Sequence, residues 1–149
     1  MELEDVKKSY FIALQRLIYN KLVSNVHLKH KLKIYRKVPK DSQFPLLFLG
    51  KMLVFDRSVK DITRVYFLHD IAIYSQNESI EDILSWGEIV KNELVGQNIK
   101  YEGVYITEVS FLQMELDVMS DGFTNKMVMK FKFNVEGDDV SSKRIANVA

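Results

Sequence analysis

The stretch KMVMKFKFNV, Lys126–Val135, decides the fold. In an extended chain Met127, Met129, Phe131, Phe133 and Val135 point one way, and Lys126, Val128, Lys130, Lys132 and Asn134 point the other. A strict period of two marks a strand with one buried and one wet face. Just before it, SDGF (Ser120–Phe123) carries an Asp-Gly pair, the chemistry of a hairpin turn. The partner strand is therefore expected over residues 104–118.

Upstream, SIED (Ser79–Asp82) is a helix-start pattern, with Ser79 as N-cap and Asp82 at the third helical position. Glu81 and Asp82 also suit the positive end of a helix dipole. Ile80, Ile83, Leu84, Gly87, Val90 and Leu94 line one face, and Gly96 is the expected C-cap. Residues 62–75, rich in β-branched and aromatic side chains, predict a long strand. Residues 46–54 predict another, with Gly50 marking a bulge or a close backbone approach. The stretch 27–40 passes from a short helical end into a strand. Val6, Tyr10, Ala13, Leu14, Leu17, Ile18 and Leu22 recur at three- and four-residue steps, which predicts a helix over residues 4–24.

The expected order is α-β-β-β-α-β-β. Consecutive strands favour antiparallel pairing, so the fold class is α+β: a mostly antiparallel sheet with two helices packed on one face. A chain of 149 residues favours one domain. The expectation is a single α+β domain over 1–136 and a flexible C-terminal tail over 137–149, where periodicity stops.

Composition narrows the function. The net charge is +1, which by itself calls for no nucleic-acid or membrane partner. The absence of cysteine excludes disulfides and thiolate chemistry. The charged N-terminus has no signal-peptide character, and no run reaches the length of a membrane span. A soluble chain made in a cytoplasm is expected.

Chemistry-bearing constellations are missing from the sequence. His27 and His30 lack a third metal ligand at useful spacing. His69 and Asp70 are neighbours in a strand and point to opposite faces, so they form no dyad. The glycines are scattered rather than gathered into a phosphate loop. The acids from Glu78 to Glu93 read as the wet face of a helix, without apolar surroundings to shift a pKa. No enzyme, cofactor or metal is expected. Residues 27–40 hold six Lys or Arg and no acid. Tyr35 is their sole ring apart from histidine, short of a stacking platform for nucleic acid. Trp86 reads as a core-edge residue, or as an interface residue.

Both prolines of the chain, Pro39 and Pro45, fall in IYRKVPKDSQFPLLFLG, Ile34–Gly50. Each pushes its predecessor, Val38 or Phe44, toward extended geometry. Pro39 is expected to end the first strand, and the loop between the prolines to be stiff. This run resembles the signature of the tail-completion, or tail-terminator, proteins of long-tailed phages. Ile34-Tyr35, Val38-Pro39, Phe44-Pro45 and Gly50 stand in the signature positions, with Leu46 where the family usually has an aromatic. The preceding ALQRLIYNKL (Ala13–Leu22), Tyr74-Ser75 before an amphipathic helix, and the closing MVMKFKFNV are also similar to the family. The resemblance spans residues 5–136.

The resemblance implies a structural protein of phages, prophages or gene-transfer particles. Such proteins form a ring, commonly a homohexamer, on the head-proximal end of the tail tube. The ring stops tube polymerisation and presents a surface to the head-side connector. The implied partners are further copies of the chain, the tail tube protein and a head-completion protein, with no membrane and no sequence-specific nucleic acid. The implied location is the virion, after assembly in the bacterial cytoplasm. A neighbouring head–tail joining protein of the neck, or an unrelated cytoplasmic binding domain, remain alternative readings. Expected interface residues are Lys29, Lys31, Lys33, Tyr35, Pro39, Lys40, Asp41, Ser42, Gln43, Pro45 and Trp86, with residues 136–149 as a further candidate. The basic 27–40 stretch and the acidic 78–93 helix would meet across neighbouring subunits.

Overall fold

The computed structural model describes residues 10–137. The elements run α1 (Tyr10–Ser24), α2 (Val26–Lys29), β1 (Lys33–Tyr35), β2 (Leu46–Asp56), β3 (Arg64–Ser75), α3 (Ile80–Leu94), β4 (Gly96–Tyr101), β5 (Val104–Val118) and β6 (Asn125–Gly137). The strands form one six-stranded sheet in the order β1-β2-β3-β6-β5-β4.

β6 behaves as its alternation demands. Met127, Met129, Phe131, Phe133 and Val135 are all buried, and the residues between them are half-exposed. β3 lies beside it with Phe67, Ile71 and Ile73 on the same buried face, and Phe67 pairs directly with Phe133. α1 contributes Ala13, Leu14, Leu17, Ile18 and Leu22 to this core, and α3 contributes Ile83, Trp86, Val90 and Leu94. One continuous cluster results, because all these side chains converge on the same sheet face. Gly87 brings α3 close to the sheet: a Cβ there would lie 2.7 Å from the Met127 sulfur.

The helix ends follow local chemistry. Ser79 Oγ accepts from the Glu81 amide at 3.3 Å, as the N-cap reading requires. Asp82 does not turn back to the Ser79 amide; its carboxylate accepts from Asn77 Nδ2 at 3.0 Å. Asn25 caps α2 by accepting from the His27 and Leu28 amides, and its Nδ2 donates to Glu93 on α3. That single side chain ties the α1–α2 junction to the second long helix.

Five expectations are corrected. Six strands are present among the described residues rather than five, because Gly96–Tyr101 pairs with β5 as β4. α2 is a separate short helix, so three helices are present among the described residues rather than two. β1 pairs with β2 in parallel, not antiparallel. A strand of this length spans only about 10 Å, so residues 36–45 can carry the chain back and start β2 level with Lys33. β1 stops at Tyr35, ahead of Pro39, which instead opens a turn closed by the Ser42 amide on its carbonyl. The helix α3 ends at Leu94 with Val95 as its C-cap, and Gly96 begins β4 rather than capping the helix.

The expected bulge at Gly50 is present as a register shift between Leu49 and Met52, where Gly50 lies against the backbone of Asp70. The β5–β6 turn is held by Asp121, whose carboxylate accepts from the amides of Phe123 and Thr124 and from the Thr124 hydroxyl. These bonds, the Thr124 hydroxyl foremost, hold its carboxyl below the usual range. Gly122 supplies the positive φ of the turn. The expected tail lies outside the described residues from 138 onward, and the expected start of the first helix before Tyr10 does too.

His69 sits on the buried face of β3, fully enclosed, with neither ring nitrogen at hydrogen-bonding geometry to a partner. Burial lowers its pKa, and nearby backbone of Asp70 and Lys51 opposes this only in part. The unfolded chain therefore takes up a proton before the folded one does, and stability falls as pH drops below the unfolded value of about 6.5. Urea unfolding at stepped pH should show this slope, and His69→Leu should abolish it. Phe131→Ala, which empties the centre of the core, should cost about 3–5 kcal/mol in the same measurement.

Candidate functional site: an assembly surface

Among the described residues, the groups with shifted pKa values are the buried His69 and the two exposed turn carboxylates, Asp56 and Asp121, which do not share a cleft. Asp56 is held low mainly by hydrogen bonds from Ser58. Among the described residues no three of His, Cys, Asp and Glu converge as a metal site. No helix among them is long and apolar enough to cross a membrane.

An apolar groove of about 380 Å³ runs between α3 and the β5–β6 hairpin. Leu84, Gly87, Phe111, Met114, Met127 and Met129 form its walls, and the Lys91 ammonium lies 5.4 Å from the Phe111 ring centre. Polar groups that could orient a small ligand are limited to Glu88 and Lys91 at its wall.

The sheet face away from the helices carries a second feature. Phe55 stacks on Tyr66 at 4.7 Å, and Tyr74 meets Phe48 at 5.4 Å and Phe44 at 6.3 Å. Lys132 lies 4.6 Å over Tyr66, and Lys126 lies 5.9 Å over Tyr74. Cross-strand pairing sets a lysine row on β6 (Lys126, Lys130, Lys132) between the aromatics of β2 and β3 and an acidic row on β5 that includes Glu115 and Asp117. The sequence shows each strand's alternation but not which strands lie side by side, so this banding was not legible in it.

Most sequence-selected residues come together at one sheet edge. Lys29 ends α2; Lys31 and Lys33 are exposed, and Tyr35 ends β1 half-buried. Pro39, Lys40, Asp41 and Gln43 are exposed on the following loop, with Ser42 and Pro45 partly buried; the Phe44–Pro45 peptide is cis. Arg36 anchors this loop by donating twice to Gln15 on α1, at 2.8 and 3.2 Å. Trp86 does not join them: at 8% exposure it belongs to the core, the first of its two readings. Of the α3 acids, Glu81, Asp82 and Glu88 are exposed, as is Glu78 just before the helix, whereas Glu93 faces Asn25.

No family model matches the sequence, and no curated protein matches it. Among solved structures, the chain is similar to one in the structure described as the virion of a native gene transfer agent (GTA) particle. The TM-score is 0.77 at 21% identity, covering 87% of this chain and 100% of the other. The two chains share a fold over the full length of the virion component.

Proposed function

We propose that this protein is a virion structural component of the phage-tail type, acting as a ring that caps the head-proximal end of a tail tube. The full-length fold match to a chain of a gene transfer agent virion carries this reading. The proline-bracketed signature of Ile34–Gly50 supports the finer assignment to tail completion. The chemistry required is complementary binding without covalent steps. One ring face matches the last ring of the tube, and the other refuses a further tube subunit. Ring closure needs two different patches on each subunit, and the basic β1 edge and the acidic exposed face of α3 are such patches. Its partners are then further copies of itself, most simply six, the tube protein and a head-side connector. A head–tail joining role in the neck is the second reading, since the same fold match fits any virion component of that build.

Deleting the gene in a strain that makes the particle, followed by negative-stain electron microscopy, separates these readings. A tail terminator leaves overlong tails without heads. A joining protein leaves tails of normal length that fail to attach. Normal tails bearing heads would remove the protein from both roles.

A further inference from the structure

The two edges of the sheet are stepped, and the steps are opposite. Leu46, Tyr74, Lys126 and Asp117 share one end row across β2, β3, β6 and β5. Asp56, Val65, Val135 and Ile106 share a row near the other end. At the first end β1 covers β2 opposite Leu46–Phe48, while among the described residues β5 lies open beyond its pairing with β4, from Ser110 to Val118. At the second end β4 covers β5 opposite Val104–Val109, while β2 lies open beyond Phe48 among the described residues. Each edge thus has a protruding strand where the other has a notch.

The open β5 edge carries a bulge between Phe111 and Gln113, and its pairing with β6 is regular from Gln113 to Val118. It contains no proline and no lysine, and Leu112, Met114 and Val118 are 47%, 41% and 50% exposed. Its charges are Glu115 and Asp117, with the exposed acids of α3 on the helix packed beside β6. The opposite edge presents Lys31, Lys33, Arg36 and Lys37. Strand directions alternate from β2 through β3 and β6 to β5, and β1 follows β2, so β1 and β5 run in opposite senses.

We propose that copies of this chain join head to tail through these steps, with β1 of one copy adding antiparallel to the open Ser110–Val118 edge of the next. The same placement lays β4 of one copy in the notch beside the open stretch of its neighbour's β2. Within one copy Lys33 shares the row of Leu46 and hence of Asp117, and Tyr35 shares the row of Phe48 and hence of Glu115, so the proposed register continues these rows from one copy into the next. Lys33 of one copy then meets Asp117 of the next on the aromatic-lysine face of the sheet, opposite charges across a shared strand pair. The contact is heterologous, as a ring needs. The inference rests on the self-assembly part of the proposed function and specifies the surfaces that perform it.

The test uses the purified full-length chain, which has no native cysteine. Lys33→Cys protein mixed with Asp117→Cys protein should oxidise to disulfide dimers of unlike variants, with few dimers of like variants. Separately, Lys33→Glu and Asp117→Lys should each weaken association by about tenfold or more in sedimentation runs. Mixing those two variants should restore it, because each supplies the complement of the other. Circular dichroism matching the unsubstituted chain verifies that the variants fold. Equal cross-linking of like and unlike variants, an assembly mass indifferent to both reversals, or a chain monomeric at every concentration would overturn the proposal. An oligomer that forms but ignores both reversals rejects these edges alone and leaves the capping reading to the particle experiment.

Discussion

The structure depends on one-sided burial along β6. Its five inward residues lie between β3 and β5, and every long element packs toward them. A period of two allows one face of a strand to be apolar and the other polar, so the helices must all lie on the same side. Phe131 and Phe133 occupy the centre, and a one-residue slip of β6 would send both to solvent and bring Lys130 and Lys132 inward. Burying an unpaired ammonium is far costlier than the ordinary variation between registers, so this register is the one available.

One-sided burial also shapes what the molecule can offer to others. The second face of the sheet has no layer over it among the described residues, and it closes on itself with stacked rings and lysines rather than with a second set of helices. The sheet is open rather than a closed barrel, so two edges remain. An open edge either pairs or must be defended. A basic, proline-bracketed loop stands beside one edge and an apolar, acidic stretch forms the other.

Elements governed by local chemistry were legible in the sequence. Ser79 begins α3 and the Asp-Gly pair turns β5 into β6, because each depends on bonds within a few residues, while Gly50 marks the bulge because the missing side chain leaves room for the Asp70 backbone on the next strand. β4 was not legible. GQNIKY has no alternation to mark it as a strand; it becomes one by pairing with β5 through a turn in which Glu102 and Gly103 both have positive φ. The parallel pairing of β1 was hidden for a related reason, since strand direction is set by where the loop returns and not by the strand's own residues. In the candidate site, the lysine-rich edge and its prolines could be read directly. The row that Glu115 and Asp117 share with β1 could not, because it is set by pairing across the whole sheet.

The sequence by itself determined which side chains must be buried, where α3 begins and where the last hairpin turns. Those properties follow from short-range geometry and from the free-energy cost of hydrating apolar side chains. Only the tertiary structure decided the strand order, the stepped edges and the banding of lysine and acid across the outer face. They arise from contacts between residues far apart in the chain, whose pairing is settled when the whole core closes at once.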